Sequence, residues 1–284
     1  MAQHRGMWPV SILAEVLQVS RSGFYAYVQR HTPACIEAEE AALLARVQAI
    51  AAETEHSYGS RRMAKQLQDD GFAVGRYKAR RLMRQVKVTV QRPKKRGPVT
   101  TDSRHSYAVA PNLLARQFDV EQPDQVWVGD ITYVWTTEGW LYLAVLLDLY
   151  SRKVVGWAMS HRIDASLVQE ALQMALGRRK PAMGLIHHSD RGSQYACGAY
   201  QALLAEHGLR CSMSRQGDCL DNAVAERFFG SLKGECTSLH HCARRQEARD
   251  AVIEYIEMFY NSKRLHSYLG YVSPNAFEGF AKAA

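Results

Sequence analysis

The chain has 284 residues, 47% of them hydrophobic and 23% charged, an ordinary globular composition with room for one large core or two to three small domains. No run reaches the roughly 18 consecutive apolar residues of a membrane span, and the start "MAQHRGMWPVSILAEV" lacks a signal peptide's apolar stretch and cleavage site, so a soluble cytoplasmic protein is expected. The net charge of +8 is uneven: residues 56–105 carry 14 Lys and Arg against 3 Asp and Glu, whereas residues 119–284 carry 17 against 19, so a polyanion is the expected partner of the basic stretch.

The first segment, residues 1–55, reads as helices. Ile12, Leu13, Val16 and Leu17 fall at helical spacing, a Ser20/Ser22/Gly23 turn follows, and a longer helix is expected over about Ile36 to Thr54, after Pro33. Residues 56–90 hold two further helices joined by "DDGFAVG". The first presents Met63 and Leu67 to one side. The second, from about Arg76, is expected to turn Tyr77, Ala79, Leu82 and Met83 inward and Arg76, Lys78, Arg80, Arg81 and Arg84 outward. Two short helices around a Gly-containing turn, the second strongly basic, form the helix-turn-helix pattern of major-groove readers. Residues 91–124, with Lys94, Lys95 and Arg96, read as a basic Pro-containing linker able to track a phosphate backbone.

At Gln125 the periodicity changes. "QVWVGDITYVWT", "GWLYLAVLLDLYS" and "RKVVGWAMSH" are β-branched and aromatic runs expected to be adjacent strands, the middle one covered on both sides. "RIDASLVQEALQMALGRR" is an amphipathic helix with Asp164 as N-cap and Gly177 near its end. A fourth strand "MGLIHHSD", a helix closed by Gly208, a fifth strand "LRCSMS" and the helix "AVAERFFGSLKGE" complete an α/β core over 125–240. Its expected form is a mixed sheet with helices on both faces. The tail, 241–284, supplies one helix, about Gln246 to Tyr260, then a loop with Arg264 and His266 exposed at the edge of the core. The six cysteines (35, 197, 211, 219, 236 and 242) are expected as free thiols. Cys236, His240, His241 and Cys242 are zinc-ligand types but lack a second closely spaced Cys pair.

Three acids stand out. Asp130 lies inside the first strand, where a buried carboxylate needs a compensating partner; Asp190 ends the fourth strand; Glu226 is early in the last core helix. If strands one and four are neighbours, Asp130 and Asp190 face each other and a crossing helix brings Glu226 above them. Taken singly, each has an ordinary alternative: a strand aspartate capping a turn, an Asx-turn, a solvated helix glutamate. Together, hard oxygen ligands suit Mg²⁺ or Mn²⁺, and two such ions clamp the attacking and leaving oxygens of a phosphoryl displacement. His187 and His188 are expected as structural groups beside them.

Asp190 and Glu226 have 35 residues between them and, with "DITY" at Asp130, this resembles the Asp-Asp-35-Glu core of transposases and retroviral integrases. "VWVGDITYV", "GWLYLAVLLDLYSRKVVGWAM", "HHSDRGSQYAC", "DNAVAERFFGSLKGE" and "YNSKRLHSYLGYVSP", in that order, resemble the second-frame product (OrfB) of the IS-three family of bacterial insertion sequences. The resemblance extends over nearly the whole chain.

It implies a ribonuclease-H-like catalytic core with Asp130, Asp190 and Glu226 as catalytic and metal-binding triad, and two Mg²⁺ or Mn²⁺ ions per site. It also implies cleavage at the element's ends with transfer of the 3′-hydroxyl to DNA. Lys233, two helical turns after Glu226, and Arg191, Gln194 and Tyr195 beside Asp190 and Ser189 are then expected to meet DNA. The implied partners are double-stranded DNA, as terminal inverted repeats and target, further copies of the chain, and the upstream-frame product (OrfA), since no zipper heptads are present here. The alternatives are a ribonuclease-H-type metal nuclease and a non-catalytic DNA-binding repressor.

Overall fold

The computed structural model describes residues 6–30, 33–90, 105–215, 219–236, 239 and 241–283. Lys94, Lys95 and Arg96, expected to track phosphates, lie outside the described residues. The chain forms two compact units, Met1–Val90 and Gln91–Ala284.

The first unit is all helical: α1 (Val10–Val16), α2 (Arg21–Arg30), α3 (Pro33–Glu53), α4 (Ser60–Asp69) and α5 (Arg76–Gln85). Its core is built from α3 residues Leu43, Val47 and Ile50, α4 residues Met63 and Leu67, and α5 residues Ala79, Leu82 and Met83, with Tyr58 and Val74 from the connections. Arg46 on α3 pairs with Asp70 at the turn after α4, at 2.6 Å. Tyr77 is not inward as expected but 83% exposed. The reason is angular: at about 100° per residue, Tyr77 stands about 200° from Ala79 and so on the far side of the stripe made by Ala79, Leu82 and Met83. Arg76, Arg80 and Arg84 recur every fourth residue and are exposed, and Arg81 reaches Glu40 of α3 at 3.5 Å. In α1 only Ala14 is buried; Ile12, Val16 and Leu17 are exposed.

The second unit is a mixed sheet of β1 (Val126–Thr136), β2 (Gly139–Asp148), β3 (Val154–Ser160), β4 (Ile186–Ser189) and β5 (Arg210–Met213), in the order β3-β2-β1-β4-β5. β1–β2 and β2–β3 are antiparallel hairpins, while β1–β4 and β4–β5 are parallel. Between β3 and β4 runs α6 (Ala165–Arg179). Between β4 and β5 run α7 (Ser193–Ala196) and α8 (Gly198–Glu206). After β5 come α9 (Ala223–Glu235), α10 (Arg245–Ile253) and α11 (Pro274–Ala283). This is the ribonuclease-H-like arrangement, preceded in the chain by an all-helical region.

Alternation along β1 sorts the two cores. Val126, Val128 and Val134 join Phe228, Phe229 and Leu232 of α9 and Val252 of α10, whereas Trp127 joins Leu167, Val168 and Leu172 of α6 with Tyr195 and Tyr200. β2 is buried on both faces, Leu141, Leu143, Val145 and Leu147 toward the first core and Ala144 and Leu146 toward the second, as its nearly continuous apolar run predicts. Gly156 on β3 lets α6 approach until the Ala171 carbonyl fills the place a Cβ would need. Asp164 caps α6 by accepting from Leu167 N–H at 3.3 Å. Gly177 does not end that helix; Lys180 does, in the left-handed conformation at φ 48°.

The tail is built in. The expected helix from Gln246 to Tyr260 is α10 followed by a π-helical stretch, Glu254–Tyr260, after which Asn261 is buried against β3. Its Nδ2 donates to the Val154 carbonyl and its Oδ1 accepts the Val154 N–H, both at 3.0 Å, filling the free edge of the sheet at that residue. Arg264 is buried rather than exposed. Its Nε and Nη2 each donate to a Glu235 carboxylate oxygen at 2.6 Å, and Nη2 also to Ser231 Oγ at 2.9 Å. Tyr255 OH donates to the same Glu235 at 2.9 Å. His266 is half-buried, its Nε2 3.1 Å from Tyr260 OH. In α11, Glu278 accepts from Arg179 Nη1 of α6 and from Ser151 Oγ, both at 2.8 Å.

Candidate active site

The parallel register of β1 and β4 runs Val126 with Ile186, Trp127 with His187 and Val128 with His188. Carried on by two residues, it sets Asp130 level with Asp190. Both side chains then share the face of Val128 and His188, the face that α9 covers. Asp130 Oδ1 accepts the Ile131 N–H at 2.8 Å, and Asp190 Oδ1 accepts the Gly192 N–H at 2.9 Å. Glu226 is exposed in the first turn of α9.

The electrostatics tie these groups together. The Asp130 carboxyl is pushed well above the usual carboxylate range, first by burial and then by the charge of Asp190; the Ile131 N–H offsets this, Glu226 adds to it and Lys233 opposes it. One carboxyl therefore feels both other acids and the lysine. Lys233 Nζ stands 4.1 Å from the centre of the Tyr133 ring, and burial lowers its pKa while Asp130 raises it. Arg191 turns back into the loop, its Nε donating to the Ser214 carbonyl at 2.6 Å. Gln194 is half-buried in α7. Tyr195, expected to meet DNA, is 2% exposed and packs in the second core with His187 and Tyr200, because its position in α7 turns it under β1.

His187 and His188 are structural, as expected. Both are fully buried; burial pushes His187 down to about 3 and His188 to about 4, so both are neutral near pH 7. His187 Nε2 meets Tyr200 OH at 2.9 Å and His188 Nδ1 meets Ser212 Oγ at 2.9 Å. Gly129, just before Asp130, is required by this packing: a Cβ there would stand 3.0 Å from His187 Nε2.

Sequence reasoning missed the hub at Asp221, two residues before α9. This fully buried carboxylate accepts from Arg215 Nε (3.0 Å) and Nη2 (2.9 Å), from Arg215 N–H (2.9 Å), from Arg116 Nε (3.0 Å) and from Asn112 Nδ2 (2.9 Å). Arg215 and Arg116 hold it well below the usual carboxylate range against the opposing effect of burial. The hub fixes the start of the helix that carries Glu226 to β5 and to residues 112–116. The one available signal was an acid in a Cys-Leu-Asp-Asn run immediately before a helix.

Among the described residues, no three His, Cys, Asp or Glu side chains stand together as a ready metal cluster. The four thiols described, Cys197, Cys211, Cys236 and Cys242, are free. What fits a divalent cation is the donor chemistry: hard carboxylate oxygens on β1 and after β4 whose repulsion is felt at Asp130, with Glu226 in range of the same charge. Added positive charge relieves such repulsion.

Comparisons with known proteins agree with this placement. Residues 120–219 match the family described as "Integrase core domain", residues 226–279 a second family of that description, and residues 37–96 an "HTH-like domain". The chain is 44% identical over 265 residues to the "Insertion element IS600 uncharacterized 31 kDa protein" of Shigella sonnei, covering 93% of this chain and 97% of that protein. It is 41% identical over 281 residues to "Transposase InsF for insertion sequence IS3A" of Escherichia coli (strain K12), covering 97% and 96%. Among solved structures it is similar to the HTLV-2 integrase catalytic core domain in complex with magnesium (trimeric form), at 15% identity and a TM-score of 0.43, over 55% of this chain and 96% of that one. With identity above 40% along almost its full length and the integrase core laid over the sheet that carries Asp130 and Asp190, the chain belongs to the IS3 family of insertion-sequence transposases.

Proposed function

We propose that this protein is a divalent-metal-dependent polynucleotidyl transferase that cuts at the ends of an insertion sequence and transfers the 3′-hydroxyl to DNA. The observation that carries the reading is the pairing of Asp130 on β1 with Asp190 after β4, with Asp130 held protonated by burial and by its neighbour's charge. Two Mg²⁺ or Mn²⁺ ions would make a water or a 3′-hydroxyl a usable nucleophile and offset charge on the phosphoryl oxygens. Asp130, Asp190 and Glu226 would hold them.

The chain's own groups do the rest. Asp130 gives up its proton as the site charges, and the Ile131 N–H keeps Oδ1 in place. The Gly192 N–H does the same for Asp190. Lys233, on the helix of Glu226, supplies a positive charge in range of Asp130 for the DNA backbone. Double-stranded DNA is the partner this requires, with Arg76, Lys78, Arg80 and Arg84 of α5 as phosphate contacts. Further copies of the chain and the upstream-frame product complete the assembly, because two ends must be joined.

The test uses the full chain, alone and fused to its upstream frame, with labelled terminal repeats and Mn²⁺. Nicked and joined products from wild type, and neither from Glu226→Gln, are expected. Nicks without joined products when 3′-hydroxyl ends are supplied would mean a nuclease. DNA binding without any product, from chain and fusion alike, would mean a repressor.

A further inference from the structure

Asn222 is the residue immediately before α9, where an asparagine ordinarily turns its side-chain oxygen onto the first free N–H groups of the helix. Here it makes no such bond. The residue is 6% exposed, and its Nδ2 lies 3.5 Å from the carbonyl oxygen of Gly129, the residue before Asp130. Its Oδ1 is buried with no hydrogen-bond partner. Buried side-chain oxygens are nearly always paired, so one that is not calls for a donor from outside the chain.

The kind of donor follows from the surroundings. An amide oxygen is an acceptor and a hard ligand; it repels the oxygens of a phosphate and attracts a cation or the protons of a cation's water. Asn222 precedes Glu226 by four residues, one helical turn, and it abuts the strand of Asp130. The nearby guanidinium groups of Arg116 and Arg215 are bonded to Asp221.

We propose that Asn222 Oδ1 is a further oxygen donor to the divalent cation site of Asp130 and Asp190, directly or through one of the ion's waters. This rests on the metal-dependent reading above. It adds a neutral ligand to an acidic set, and explains why an asparagine in capping position leaves the cap unmade.

The test is Mn²⁺ binding to the full-length protein by calorimetry, together with melting temperatures with and without Mn²⁺, and no activity is needed. Asn222→Ala is expected to weaken Mn²⁺ binding by about tenfold or more and to shrink the metal-induced rise in melting temperature. Its melting without metal should stay near wild type, because the oxygen removed had no partner. A purely structural role would do the reverse, lowering the metal-free melting point and leaving Mn²⁺ affinity unchanged, and would overturn the proposal. Should Asn222→Ala not fold, Asn222→Asp, of the same shape, decides: several-fold tighter Mn²⁺ binding supports the proposal, and unchanged or weaker binding ends it. Asp190→Asn separates the two levels of argument. Loss of Mn²⁺ there with an unaffected Asn222→Ala removes only this inference, whereas wild-type binding by Asp190→Asn removes the site itself.

Discussion

Replacing Arg264 by Met should cost the second unit a large part of its stability. The guanidinium is 4% exposed and its partner Glu235 12% exposed, so neither charge reaches water. The substitution leaves the Glu235 carboxylate buried with Tyr255 OH as its remaining described donor, at 2.9 Å. Breaking a buried pair by removing one partner costs about 3–5 kcal/mol. The surviving tyrosine bond argues for the lower end, about 3 kcal/mol. For a unit of this size each kcal/mol lowers the melting temperature by about 2–4 °C, which gives a loss of about 6–12 °C. Calorimetry or far-UV circular dichroism would read it. The control is the double variant Arg264→Met with Glu235→Leu, which removes both charges and should recover most of the loss, since apolar groups of similar volume often replace a buried pair without penalty. A single variant melting within about 2 °C of wild type, or a double variant showing the sum of two losses, would refute the reasoning.

The raised Asp130 pKa has a pH signature. A carboxyl that binds its proton more tightly when folded contributes stability below its unfolded pKa of about 3.9 and loses it as pH rises through the folded value. Metal-free wild type should therefore lose stability relative to Asp130→Asn from about pH 4 upward, and Mn²⁺ should reverse the trend; a flat difference across that window counts against the site. Gly129→Ala puts a Cβ 3.0 Å from His187 Nε2, so β1 must shift beside Asp130. DNA-end cleavage should fall well before folding is lost, and an equally active variant would show that the shift is tolerated. Changing Arg76, Arg80 and Arg84 of α5 to Ala should weaken binding to any duplex and flatten the log–log salt slope by about 0.9 for each phosphate no longer neutralised. An unchanged slope in a fluorescence-anisotropy titration would remove α5 from the interface.

The three acids were legible because each interrupts a pattern: Asp130 a run of β-branched residues, Asp190 the end of another, Glu226 the face of an amphipathic helix. Strand order was legible too, since hairpin-length connections and one helical crossover admit few arrangements. Charges that become buried through distant partners were not. Arg264 sits in a Gly/Pro/Tyr loop that reads as surface, and only a partner 29 residues earlier takes it inside. Asp221 draws on Asn112 and Arg116, more than a hundred residues back. Tyr77 was misplaced for a simpler reason: aromatic character was weighed over helical angle.

The free edge of a β-sheet invites a strand from another molecule, and proteins with such edges risk sticking together. With its amide laid against both backbone groups of Val154, Asn261 plays the part of a one-residue strand and closes that invitation from within. Self-association through this stretch of β3 is thereby discouraged, and a gathering of subunits on DNA is left to other surfaces.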